Sequence, residues 1–198
     1  MSHEIRRVCV YCASSKIADE AYRADARALG ALLAGEGVEI VYGGGAVGSM
    51  GALADGALSA GGKVVGILPR FMDELEWGHK GLTKLEIVHS MHERKMAMLA
   101  EADGAIALPG GCGTYEELLE AITWKRLGIF NQPIVLLNTK GFYDALAHAL
   151  ERCVEERFMN ERHREMWSVV PAPGDVLPAL RSAPEWDDEA RGFAVPGR

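Results

Sequence analysis

Short apolar runs alternate along this chain with helical repeats of ten or more residues, and that alternation constrains the fold more than any other feature of the sequence. Val8 to Tyr11 is an apolar run followed by the turn residues Ser14 and Ser15, and then by a helical pattern through Tyr22, Ala26, Leu29, Leu32 and Leu33. Gly35 and Gly37 stop that helix, Val38 to Tyr42 is β-branched and apolar, and a small-residue helix is predicted from about Gly48 to Ala60. The unit repeats: strands are predicted at Lys63 to Leu68, Lys84 to Val88, Ala105 to Leu108 and Pro133 to Leu137. Helices are predicted at Met91 to Ala102, Thr114 to Arg126 and Phe142 to Arg157, with weak periodicity between Pro69 and His79. Val169 to Pro171 and Asp175 to Leu180 read as a last strand and a short helix. Strands joined by helical crossovers make a mostly parallel sheet with helices on both faces, so the expected class is α/β, a Rossmann-like, doubly wound fold. Ligands of such sheets bind at the carboxyl ends of the strands.

A chain of 198 residues supports one core, and a single domain over 1–181 is expected, followed by a mobile tail over 182–198 that carries Pro184, aspartates and Gly192. No stretch approaches the roughly eighteen apolar residues of a membrane span, and Met1 to Arg7 lacks the apolar block of a signal peptide, which predicts a cytoplasmic protein without a membrane partner. The net charge of −7 disfavours a nucleic-acid partner, which needs a basic field. Cys9 and Cys12 form a C-x-x-C, but on a strand an offset of three sends the thiols to opposite faces, so structural cysteines are expected. The six histidines show no metal-binding helix spacing.

The 23 glycines cluster in short runs, and two of these runs join a strand to a helix. In Gly43 to Gly51 that geometry points backbone N–H groups at an anion, which makes Ser14, Gly44 and Gly45 candidate phosphate contacts. A dinucleotide site expects an acidic residue about twenty positions on, whereas Lys63 to Pro69 occupies that stretch; no Lys-Ser or Lys-Thr pair follows the glycines, so a Walker loop fits no better. The second loop, Ala107-Leu108-Pro109-Gly110-Gly111-Cys112-Gly113-Thr114-Tyr115-Glu116-Glu117, places acidic residues in the first helical turn. Thr114 and Glu117 have the spacing of a capping box; equally, Gly111, Gly113 and Thr114 suit a phosphate or ribose with Glu117 facing the sugar. Cys112 sits at a helix N-terminus, a place where a nucleophilic thiol can occur, but no base accompanies it in sequence. Arg94 and Lys95, at the start of a helix after a strand, are the candidate local cations of an acidic protein.

These residues resemble the LONELY GUY (LOG) family, cytokinin riboside 5′-monophosphate phosphoribohydrolases that are often mislabelled lysine decarboxylases. The resemblance runs from Val8 to about Val170 and rests on the Gly43 to Gly51 loop, on Met91 to Lys95, and on the family's PGGxGTxxE at Pro109 to Glu117, continuing through Leu118 to Trp124. Ser49 stands where leucine is common, and Cys112 occupies the variable position. The resemblance implies that Arg94 and Glu117 are the catalytic pair. It further implies that Glu76, Lys95, the run Gly111, Cys112, Gly113, Thr114, Tyr115, Glu116 and Glu117, and Thr123 line a nucleotide site. The implied reaction cleaves AMP or N6-prenylated AMP to free base and ribose 5-phosphate, in a homodimer contacting through its long helices, with no metal or organic cofactor. A carboxylate suits that chemistry because cleavage builds an oxocarbenium-like sugar. Two other readings stand beside it: a nucleotide-binding or sensing module of the same fold without chemistry, and a pyridoxal-dependent decarboxylase using Lys80.

Overall fold

The computed structural model describes residues 3–75, 77–187 and 189–194. In chain order the elements are β1 (Arg7–Tyr11), α1 (Glu20–Gly35), β2 (Glu39–Tyr42), α2 (Gly48–Ser59), β3 (Val64–Pro69), α3 (Arg70–Glu74), β4 (Lys84–Val88), α4 (Met91–Leu99) and β5 (Ala105–Ala107). There follow α5 (Cys112–Arg126), β6 (Ile134–Leu137), α6 (Asp144–Glu155), a 3-10 helix (Glu161–Met166), β7 (Trp167–Val170), α7 (Pro173–Ser182) and α8 (Ala190–Phe193). The short α3 lies in the stretch where periodicity fades, and α5 begins at Cys112, two residues before the hydrophobic repeat predicts.

All seven strands are parallel and lie in the order β4-β3-β2-β1-β5-β6-β7. From β1 the chain builds outward through β2, β3 and β4, and then returns to pair β5 with the other side of β1, Cys9 lying beside both Val41 and Ala105. The loops leaving β1 and β5 therefore diverge, and a crevice opens at the carboxyl edge between them.

Alternation along the strands sorts the core into two layers. Val8, Val10, Ile40, Tyr42 and Ile106 pack under α1, α2 and α7, while Cys9, Tyr11, Val41, Ile67 and Ala107 pack under α4, α5 and α6. Cys9 and Cys12 accordingly fall in different layers, and all four cysteines are free thiols. No helix among the described residues is long and apolar enough to cross a membrane.

The segment beyond Ser182, expected to be mobile, makes buried contacts where it is described. Trp186 and Ala190 are buried, the Trp186 indole N–H donates to Lys125 O at 2.8 Å, and Trp186 and Phe193 pack on His163. Aromatic area outweighs the prolines and acidic residues that make the segment look polar in sequence.

α1 and α2 approach closely because each offers a glycine at the crossing: a Cβ on Gly30 would lie 2.2 Å from Leu53 O, and one on Gly56 would lie 2.2 Å from Arg27 O. Gly30→Ala is expected to force the helices apart and destabilise the fold by about 2 kcal/mol, lowering the calorimetric melting temperature by roughly 4–8 °C. An unchanged melting temperature would show that the crossing relaxes freely.

Candidate active site

Local sequence sets up the first half of the site. Ser90 caps α4 by accepting the Glu93 N–H on its Oγ (3.1 Å), and the Glu93 carboxylate accepts the His89 N–H (2.7 Å), so the chain turns sharply out of β4 into the helix. One residue later Arg94 points inward, only 5% exposed. Its Nε donates to Ile67 O (3.2 Å), Nη2 to Gly43 O (3.3 Å) and Nη1 to Glu117 Oε1 (3.1 Å). The guanidinium thus joins β3, the loop after β2, and α5. Gly43 makes the room: a Cβ there would sit 2.0 Å from Arg94 Nη2.

The second half is the start of α5. Its N-cap is Gly111, with no side-chain cap, so the capping box that the spacing allows does not form. Thr114 is instead buried within the first turn against Gly110, where a Cβ would lie 2.1 Å from Thr114 Oγ1, and Glu117 turns to Arg94. Tyr115 N–H donates to Gly111 O (3.1 Å), whereas the amides of Cys112, Gly113 and Thr114 meet no acceptor among the described residues. Those three donors, at the positive end of a helix dipole, are free to receive an anion.

The first glycine loop plays a different part. Ala46 N–H donates to Trp77 O (3.1 Å), Met50 N–H to Ala13 O (3.0 Å), and Gly44 O accepts from His79 N (2.9 Å). Gly44, at φ +77°, faces Leu68 and Leu85 rather than the crevice, while Gly45 reaches the crevice wall. The loop spends its backbone on the 77–79 segment and on housing Arg94.

Two adjoining cavities share Ser14, Met50 and Arg94. One, of about 340 Å³, is lined by Ser14, Ser15, Arg94, Gly111, Gly113, Thr114 and Glu117 among others. The other, of about 420 Å³, has an apolar wall that includes Met50, Leu68, Met72 and Trp77, with Lys16 at its edge.

Not every expected residue reaches this crevice. Lys95 is held by Glu116 and Glu120, which keep its ammonium above the usual lysine range, the Glu116 hydrogen bond contributing most. It therefore braces α4 on α5 instead of standing ready as a cation. Tyr115 stacks on Phe142 with ring centroids 5.9 Å apart, and Thr123 is exposed with its hydroxyl donating to Leu119 O, so neither lines the cavities of the single chain. Cys112 is exposed beside them. Glu76 lies outside the described residues. Lys16, Ser15, Met50 and Gly43 are among the crevice residues that sequence reasoning passed over, with the apolar wall of Leu68, Met72 and Trp77; Gly43 and Met50, inside a strand-to-helix glycine run, carried a signal.

Glu117 is also 5% exposed. Burial pushes its carboxyl above the usual glutamate range against the pull of the Arg94 guanidinium, with Glu116 and Glu120 adding to the upward shift and Lys95 opposing it. The held Lys95 leaves Glu117 as the carboxylate that the crevice wall presents. Among the described residues no three His, Cys, Asp or Glu side chains gather where they could hold a metal ion.

Comparison with known proteins matches this architecture to described families. The family model described as "Possible lysine decarboxylase" matches residues 50–180. The chain is similar to the cytokinin riboside 5′-monophosphate phosphoribohydrolase LOG of Oryza sativa subsp. japonica, 39% identical over 191 residues that span 93% of this chain and 79% of the relative. It is likewise 39% identical to the Arabidopsis thaliana enzyme LOG2 over 184 residues, 92% of this chain and 86% of the relative. Among solved structures, it resembles the molybdenum cofactor carrier protein of Chlamydomonas reinhardtii, with a TM-score of 0.70 at 19% identity, covering 89% of this chain and 96% of the other. The molybdenum cofactor binding protein of the bacterium Rippkaea orientalis gives a TM-score of 0.67 at 20% identity, covering 90% and 97%. At those identities the structural likeness is one of fold.

The buried pair makes a titration testable. A carboxyl whose pKa is raised in the folded state favours folding at acid pH, below its unfolded value, and that contribution fades as pH rises through the folded value. Carboxyl ¹³C NMR should find Glu117 titrating above about 4.3, the ordinary glutamate value, and Arg94→Ala should move it further up by removing the opposing cation. A downward move in that variant would show that burial does not control Glu117.

Proposed function

The chain belongs to the family of cytokinin riboside 5′-monophosphate phosphoribohydrolases, and on that premise we propose that it hydrolyses the N-glycosidic bond of AMP or an N6-prenylated AMP. The observation that carries the reading is the juxtaposition of an anion seat with a buried, oriented carboxylate on the first turns of one helix. Phosphate held on the amides of Cys112, Gly113 and Thr114 fixes the ribose beside Glu117, and fixed geometry is itself a large part of lowering such a barrier. As the bond from C1′ to the purine nitrogen lengthens, its electron pair leaves with the base and positive charge grows on the sugar. The Glu117 carboxylate stabilises that charge and accepts a proton from the water whose oxygen bonds to C1′; the departing base takes up a proton, and ribose 5-phosphate remains.

Arg94 acts on Glu117 rather than on the substrate. Three of its N–H groups are engaged by Glu117 and two backbone carbonyls, so it is a positioning residue that keeps the carboxylate aimed and ionised. The reaction as drawn uses no metal or organic cofactor.

The decarboxylase reading fares poorly on geometry. Lys80 is exposed, whereas a Schiff-base lysine needs a desolvated site. The buried lysine is Lys125, with its ammonium pushed down to about 8 by burial, but it donates to Gln132 O and lies eight residues beyond Glu117 on α5, about 12 Å along the axis.

We place the protein in the cytoplasm as a homodimer. Met91 and Met96 on α4 and Leu119 on α5 are exposed apolar side chains, and Leu119 lies one turn before the exposed Thr123 on α5, area that a second copy could cover. Sedimentation equilibrium should give a species of twice the chain's 21.4 kDa; a monomer at micromolar concentration would remove the dimer.

Incubating the protein with AMP and with its N6-prenylated analogue, and separating base from nucleotide, tests the activity directly. Glu117→Gln should lower base release by about 10²–10⁴-fold with nucleotide affinity retained, and Arg94→Ala should lose turnover as well. Tight nucleotide binding without any released base in the wild-type protein would leave a non-catalytic binding module.

A further inference from the structure

A nucleoside monophosphate carries close to two negative charges into a chain whose own net charge is −7. The cations nearest the crevice are already engaged. Arg94 is matched by Glu117 and two carbonyls, and Lys95 by Glu116 and Glu120. The first pair sums to zero and the second group to a negative charge, so backbone amides alone would have to hold the phosphate.

Lys16 is the exception. It lines the larger cavity, which shares Ser14, Met50 and Arg94 with the smaller, and its ammonium makes no ion pair or hydrogen bond among the described residues. Its backbone is anchored: Arg23 Nη1 donates to Lys16 O (3.1 Å) and to Ala18 O (2.8 Å), and Arg23 is itself paired with Glu20. On one side of the loop Asp19 caps α1, and on the other Met50 N–H holds Ala13 O. Gly48, at φ +65°, lets α2 press against the same loop, since a Cβ there would meet Ser14 C at 2.6 Å and Ser15 O at 2.7 Å. A loop with a fixed backbone that sets an exposed lysine, unpaired among the described residues, on the wall of the larger cavity is suited to receiving an anion there.

We propose that Lys16 draws in the substrate's 5′-phosphate and holds it from the crevice rim, as a positioning residue for the hydrolysis that Glu117 performs. The inference rests on the hydrolase reading for its substrate, but its charge argument applies to any phosphorylated ribose bound there.

Two measurements on the full chain separate the inference from that reading: calorimetric binding of ribose 5-phosphate, and steady-state hydrolysis of AMP, each for wild type, Lys16→Ala, Lys16→Arg and Lys16→Glu. Removing one charge-assisted contact should raise both the ribose 5-phosphate Kd and the AMP KM by about tenfold in Lys16→Ala, more in Lys16→Glu, with substantial recovery in Lys16→Arg. The effect should fall mainly on KM rather than kcat. The dependence of KM on salt should also flatten in Lys16→Ala, because the screened charge is gone; a merely structural role would not change that slope. Equal ribose 5-phosphate affinity in wild type and Lys16→Ala would overturn the proposal whatever the turnover. A wild type that binds ribose 5-phosphate yet releases no base would sink the hydrolase reading while calorimetry still decides Lys16. A wild type that binds no ribose 5-phosphate at millimolar concentration would overturn the Lys16 proposal, and the release or absence of base from AMP would then decide the hydrolase reading separately.

Discussion

One buried ion pair holds the functional edge of this molecule together. Arg94 and Glu117 sit on different helices, and the guanidinium also reaches carbonyls at the ends of two strands. Withdrawing two charges from water is unfavourable, and the attraction between them repays it only when the remaining polar atoms are satisfied. Here the guanidinium is satisfied by backbone oxygens at Gly43 and Ile67, which are present because both strands end at the crevice. Removing either partner of such a pair costs about 3–5 kcal/mol in other proteins, since the survivor stays buried and unmatched. The pair is therefore poor evidence for stability gained, and better evidence of a geometry kept for use.

That geometry explains why two loops of similar composition serve different ends. Both join a parallel strand to a helix and both are rich in glycine. The loop after β2 lacks side chains so that an arginine can lie against its backbone, and its polar groups are taken up by the 77–79 segment. The loop after β5 leaves its amides open and sends a carboxylate back from the second helical turn. Between them runs the switch point of the sheet, so the topology supplies the cleft and the two loops supply its opposing chemistries.

Most of the fold was legible in the sequence because buried parallel strands must be short, continuous and apolar, and β1, β2, β3, β5 and β6 announce themselves in that way, whereas the edge strands β4 and β7 are only partly buried. Boundaries were less so. The start of α5 is expected at Thr114 from its capping-box spacing with Glu117, yet the helix begins at Cys112 with Gly111 as its N-cap. Glu117 and Arg94 were legible as residues through a motif, but their mutual hydrogen bond spans 23 positions and depends on two loops meeting. For the same reason Gly44 and Gly45 drew attention when Gly43 is the one that accommodates the guanidinium. Lys95 looked like a ligand cation because its neutralising carboxylates lie on another helix. Lys16 was invisible, since a single lysine in a loop has no periodicity and no motif; only the absence of a partner marks it.

The docking of the last described residues also bears on the far end of α5. The match to the family model ends at residue 180, but Trp186 and Arg191 beyond it donate to the carbonyls of Lys125, Leu127 and Gly128. Arg126 in turn donates to Ala194 O. These bonds close the far end of the helix whose near end carries Glu117. Trimming the chain at residue 180 would strip the lid from Lys125, leaving an ammonium and a row of bare oxygens open to solvent at the end of α5 opposite Glu117.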